Sequence, residues 1–142
     1  MKLFIRLSKK SLCIIFAALI ISLIIIGQLF TIKAGGTSGS TNALRVEYLS
    51  GLGYTVDETA ISVKEIVIPE KFSDVYNEYN RLQQTAGFDL SRYRGNKAVV
   101  YTYRLSDSED TVINLIVSDN NIIGGDISSV RIDGEMKALE RK

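Results

Sequence analysis

The sequence predicts an α+β domain: an antiparallel meander of three to four strands packed against one long amphipathic helix, with a short N-terminal helix, the whole preceded by one transmembrane helix. Three observations predict it. Leu12 to Ile32 form an uncharged run of 21 residues. Apolar residues recur at i, i+3, i+4 and i+7 over residues 72–86. Three segments between 99 and 132 alternate apolar with polar residues and are separated by short polar turns.

The uncharged run, at about 1.5 Å per residue in a helix, spans roughly 30 Å, the hydrocarbon thickness of a bilayer. Lys2, Arg6, Lys9 and Lys10 precede it, and Lys33 is the only charge soon after it. Basic residues stay inside, so residues 1–11 are expected in the cytoplasm, 12–32 in the lipid bilayer as a single-pass anchor, and the rest outside the cell. A cleaved signal peptide has an apolar region of about 7–15 residues ending at a small-x-small site. Thr31-Ile32-Lys33-Ala34 is a poor match to such a site. A lipid-modified cysteine would follow the run, whereas Cys13 opens it. Ala18 and Ser22 form a small-xxx-small pair, as many spanning helices do.

Residues 33–41 are rich in Gly, Ser and Thr and read as a flexible tether, leaving 42–142 as the extracytoplasmic domain. Within it, Asn42 to Leu52 reads as a helix, with Leu44, Tyr48 and Leu52 on one side and Gly51 and Gly53 at its end. Tyr54 to Val56 and Ile61 to Ile68 read as extended, and Pro69 as the first turn of the next helix. Phe72, Val75, Tyr76, Tyr79, Leu82 and Ala86 form the inward stripe of that helix, with Asp74, Glu78 and Arg81 turned away and Gly87 as its stop. Tyrosines at this spacing suit core packing better than a ligand groove. Val99, Tyr101, Tyr103 and Leu105 mark a strand, residues 106–110 a turn, and Ile113, Leu115 and Val117 the next strand. Asp119-Asn120-Asn121 is a tight turn, and Ile122 to Ile132 the last strand. The pair Gly124-Gly125 inside that strand marks a bulge or a close backbone approach, with at least one backbone shape closed to β-branched residues.

Charge and composition narrow the chemistry. Residues 1–33 carry five basic groups and no acid, while the remainder holds 12 basic and 16 acidic side chains. An acidic outer domain without clustered bases is a poor nucleic-acid surface. There is no histidine and one cysteine, so Ser-His-Asp and Cys-His catalysis and the ordinary zinc sites are excluded. No cofactor site, metal site or catalytic residue is assigned. Asp107, Glu109 and Asp110 lie in a turn and lack the spacing of a calcium loop. Arg94, in the turn Tyr93-Arg94-Gly95, reads as a solvated side chain rather than an anion site. Gly124-Gly125-Asp126 continues as Ile127-Ser128, which departs from the Gly-Gly-Asp-Glu-Phe signature of cyclic-dinucleotide synthases.

A wider resemblance runs through Arg45…Tyr48-Leu49…Leu52-Gly53-Tyr54-x-Val56, Ile66…Ile68-Pro69-Glu70…Phe72…Val75-Tyr76…Tyr79-Asn80, and Gly87-Phe88-Asp89-Leu90…Tyr93-Arg94-Gly95. It continues through Tyr101-x-Tyr103, Asn114-Leu115 and Ile123-Gly124-Gly125-Asp126. This pattern resembles the bacterial family known as domain of unknown function 4830. The resemblance implies a membrane-tethered envelope domain of Gram-positive-type bacteria and supplies no activity or functional residues. Members often carry a cysteine after the Gly-Gly-Asp stretch and a histidine near the C-terminus. This chain has Ser128 and Lys137 there, so no role resting on thiol or imidazole carries over.

The expected function is therefore that of a non-enzymatic binding or interaction module with an envelope protein as partner. A sensor or inhibitor module is the alternative, and a carboxylate-dependent hydrolase ranks below both. A deep pocket with two buried acids would favour the hydrolase, and an open edge strand would favour interaction. The topology is directly testable. Protease added to wall-stripped cells should digest the domain after Lys33 and spare Lys2 to Lys10, and carbonate extraction should leave the full-length chain in the pellet. A protected C-terminal domain would refute the orientation.

Overall fold

The computed structural model describes residues 37–131 and 133–142. The expected cytoplasmic segment 1–11, the anchor 12–32, the start of the tether at 33–36 and Ile132 lie outside the described residues. The order of elements is α1 (Asn42–Gly51), β1 (Ser62–Val67), α2 (Asp74–Thr85), a 3-10 turn (Leu90–Tyr93), β2 (Lys97–Arg104), β3 (Thr111–Ser118), β4 (Asn121–Ser129) and β5 (Met136–Ala138). The strands form one sheet in the order β1-β2-β3-β4-β5, each antiparallel to the next.

Among the described residues the sheet thus has five strands, not three to four. The expected final strand stops at Ser129, and the chain reverses through a turn in which Gly134 N–H donates to Arg131 O at 2.9 Å. Asp133-Gly134 is the turn signal responsible. β5 then pairs with Asp126, Ile127 and Ser128. Between β3 and β4 the turn residues Asp119 and Asn120 both have positive φ, 47° and 65°, the geometry of a two-residue hairpin that matches strand twist.

Alternation along the strands sorts the core into two layers. One face carries Tyr103, Leu105, Ile113, Leu115 and Val117, packed with Leu49 of α1 and with Leu139. The other carries Ala98, Ile116 and Ile123, packed with Ile68, Leu90 and the aromatic rings of Phe72, Tyr76 and Tyr79. The two helices therefore cover opposite faces. β3, covered on both, is buried at six of its eight positions, whereas β1 is exposed at five of six.

Both helices turn on the sheet differently from their apolar stripes. In α1 the buried residues are Arg45 and Leu49, one step beyond Leu44 and Tyr48. In α2 they are Asn80 and Gln83, one step beyond Tyr79 and Leu82. Of the expected stripe of α2, Phe72, Tyr76 and Tyr79 pack half-buried at the margin of the core, while Val75 is 80 % exposed. The helix also begins later than Pro69, because Ser73 is its cap, with Oγ accepting from Tyr76 N–H at 3.2 Å, and Asp74 lies in the first turn. The early residues after β1 are instead a connection that lays Phe72 against Tyr76, with ring centroids 4.5 Å apart. Gly87 (φ 83°) ends the helix as expected.

The glycine pair is explained by contact rather than by dihedral angle. Neither Gly124 nor Gly125 has positive φ, and the register shift opposite Ile116 and Val117 puts the extra residue at Ile123. A Cβ on Gly124 would lie 2.9 Å from Gln83 Oε1 of α2. One on Gly125 would lie 2.7 Å from Leu139 Cδ2 and 2.8 Å from Asn114 O. The strand is thus pinched between layers on both faces. Gly124→Val and Gly125→Val should each destabilise a fragment spanning 37–142 by about 1–3 kcal/mol in urea unfolding. Gly51→Ala, in open space at the end of α1, should be neutral or stabilising by up to about 1 kcal/mol. Unchanged midpoints for both valine variants would show that α2 and Leu139 do not close on β4.

Candidate interaction surface

Among the described residues, β1 is a free edge of the sheet. Ile68 N–H donates to Asn96 O at 2.9 Å, which assigns the even positions of the strand to pairing with β2. The N–H and C=O groups of Val63, Glu65 and Val67 then point off the edge. The same residues present their side chains on the α1 face of the sheet but lie outside the reach of that helix. Val63 and Val67 are each 60 % exposed, and Ile61 just before the strand is 49 % exposed. Exposed apolar side chains on an edge with unpaired backbone are the arrangement that adds a further strand.

Beside this edge lies a cavity of about 630 Å³, floored by Val67, Val99, Tyr101 and Val117 and rimmed by Glu65 and Lys97. One wall comes from Gly39 and Ser40, residues expected to belong to a flexible tether. They are docked instead. Gly39 N–H donates to Asn120 O at 2.8 Å, Ile122 N–H donates to Thr37 O at 2.9 Å, and Ser38 bridges Asn121. Gly39 is required here, since a Cβ would lie 2.7 Å from Ile122 Cγ1.

Arg45 holds that wall in place. It is only 6 % exposed and has no ion-pair partner among the described residues. Its Nη1 donates to Gly39 O at 2.7 Å and its Nε to Tyr103 Oη at 2.8 Å, and the guanidinium lies 3.6 Å above the Tyr101 ring. Tyr103 in turn donates to Asn42 Oδ1 at 2.9 Å. Charge-assisted hydrogen bonds and the ring face offset the loss of water around the cation. The result fixes Tyr101, a floor residue of the cavity, against α1.

On the opposite face, the Gly-Gly-Asp stretch places Asp126 in a buried polar cluster. Its carboxylate, in a residue 2 % exposed, accepts from Tyr79 Oη at 2.8 Å, Asn114 Nδ2 at 2.9 Å and Ser128 Oγ at 2.5 Å. Burial, reinforced by the Asp126 charge, pushes the Tyr79 phenol far above its ordinary pKa. Among the described residues no three of His, Cys, Asp and Glu come together. Asp107 and Asp110 lie on the surface in loose ion pairs with Lys142 and Arg131, at 3.7 and 3.8 Å, and Glu109 is exposed. Arg94 is exposed above the Phe72 ring, 4.6 Å from its centroid. Ser128 pairs with Met136 across β5, and Lys137 with Ile127, so Ser128 and Lys137 project to opposite faces.

Sequence reasoning assigned no binding residue, and two determinants escaped it. β1 reads as an ordinary strand, because an edge is a property of strand order. Arg45 enters the sequence reading only as the first residue of the family pattern; the signal for its role is an arginine four residues before Leu49, on the side of α1 that meets two strand tyrosines.

A family model described as Domain of unknown function (DUF4830) matches residues 48–127, from the later turns of α1 to Ile127 in β4. No curated protein and no solved structure matches the chain. The edge assignment has its own signature. Backbone hydrogen exchange should alternate along β1, fast at Val63, Glu65 and Val67 and slower at Lys64, Ile66 and Ile68. Uniform protection along the strand would mean that the outer side is already paired.

Proposed function

The chain belongs to the family of domain of unknown function 4830 (DUF4830), and from that premise we propose that it is a non-enzymatic interaction module, held outside the cell membrane by residues 12–32, that takes an extended segment of an envelope protein along β1. The observation that carries this reading is the open edge itself. Val63 and Val67 are each 60 % exposed on a strand whose outward N–H and C=O groups are unpaired among the described residues, next to a cavity of about 630 Å³. An added strand would satisfy the free backbone groups, and its alternate side chains would reach Val63, Val67 and the cavity.

The cavity also supports a second reading, a small-ligand sensor, since its volume falls in the range of about 300–1,000 Å³ used for such ligands. A carboxylate hydrolase has less support. Two-carboxylate chemistry needs a pair of acids in differing environments. Asp126 is surrounded by donors that already occupy its oxygens.

A photo-crosslinking residue placed at Val63 in cells should trap a discrete envelope protein, and Val67→Asp in the same chain should abolish the adduct. The same residue at Asn77, exposed on α2, serves as the control. Identical adducts from both positions would refute β1 as the binding edge. A ligand sensor would instead give no β1-specific adduct.

A further inference from the structure

Resting on that reading of β1, we propose that its occupant is a strand from a different protein with a basic residue opposite Glu65, an acidic residue opposite Lys64 and apolar residues opposite Val63, Ile66 and Val67. Two charges lie at the middle of the edge. Glu65 projects to one face and Lys64 to the other, both exposed. Their cross-strand neighbours on β2 are Val99 and Val100, and neither charge has an ion-pair partner among the described residues. The only position left for a directly opposed countercharge is on the open side. Opposite charges facing across strands stabilise, and like charges there destabilise.

Register turns this into a sequence pattern. The outward backbone groups belong to Val63, Glu65 and Val67, so these residues form the hydrogen-bonded pairs with an added antiparallel strand. Written from N- to C-terminus, the complementary strand is apolar (opposite Val67), apolar (opposite Ile66), basic (opposite Glu65), acidic (opposite Lys64) and apolar (opposite Val63). The peptide Val-Ile-Lys-Glu-Val satisfies all five positions.

A second copy of this chain does not. In a two-fold antiparallel pairing centred on the edge, Glu65 faces Glu65. A slip of two residues one way brings Lys64 against Lys64. A slip the other way puts Pro69, which has no N–H, in a hydrogen-bonded position opposite Val63. The central charges therefore act in two ways: they block self-association of an apolar edge and select a partner of the reverse charge order.

The test uses the full-length chain in detergent micelles, titrated with two probe peptides, Val-Ile-Lys-Glu-Val and its charge-exchanged form Val-Ile-Glu-Lys-Val, each flanked by serine and threonine. The first should shift the amide resonances of Val63, Glu65 and Val67, and the second should bind on the order of tenfold more weakly. In the double variant Lys64→Glu, Glu65→Lys the preference should reverse. Equal affinity of the two peptides would overturn the charge rule while leaving strand addition intact. If neither peptide moved the β1 amides, strand addition itself would fall. Concentration-dependent shifts of those amides without peptide would show that a second copy is the occupant, against the proposal.

Discussion

Backbone groups that the sheet ladders leave over must find partners when buried, and that obligation shapes how both helices sit on this sheet. β5 reaches only as far as Asp126, so the Gly125 N–H is served by Gln83 Oε1 at 2.8 Å. The Leu90 N–H, where the 3-10 turn starts, is served by Asn80 Oδ1 at 2.7 Å. The Gly39 carbonyl is served by Arg45 at 2.7 Å. Each of these side chains is buried and each occupies a helical position facing inward. The apolar stripes are displaced to the flanks as a result. Gln83 also leaves its Nε2 without a partner, at a cost of about 1–3 kcal/mol. With Oε1 fixed on Gly125, Nε2 finds no acceptor among the described residues.

These polar contacts explain which parts of the fold were legible in the sequence. Tyr101, Tyr103 and Leu105 alternate because one face of β2 is packed and the other mixed, and alternation reads directly as a strand. Asp119-Asn120 reads as a turn because both residues tolerate positive φ. Both helices are legible in the sequence, although the second starts at Asp74 rather than at Pro69, and apolar spacing puts their inward faces at Leu44, Tyr48, Tyr79 and Leu82. Apolar periodicity cannot reveal that Arg45, Asn80 and Gln83 face inward, since their burial depends on backbone groups brought together from distant segments. β5 was missed because three residues carry no periodicity. The glycine pair was read as unusual for the right reason, close approach, and for a wrong one, strained dihedrals.

The surface around β1 follows from the same layering. α1 and α2 cover the middle of the sheet from opposite sides, over β2, β3 and β4. β1 extends past both. Its even positions are fastened to β2, and only Ile66 is even half-buried. Such a strand adds little to the core, so its residues are free to be chosen for what they present outward. Lys64 and Glu65 in the middle, with valines on either side, are the composition of an edge kept soluble without being closed. Asp126 on the far face belongs to the other part of this division: a buried charge with three donors stiffens the sheet under α2 and takes no part in the edge.

The docked segment before α1 also decides where mechanical load enters the domain. Tension drawn through the residues ahead of Thr37 arrives at the Ser38–Asn121 bridge and at the Arg45 hold on Gly39. Both hand the strain to the β3–β4 hairpin and to Tyr103, the most deeply packed part of the sheet. Only β2 lies between that hairpin and β1. A pull applied at Thr37 therefore loads the core hairpin and β2 directly, whereas β1 feels it only through its hydrogen bonds to β2.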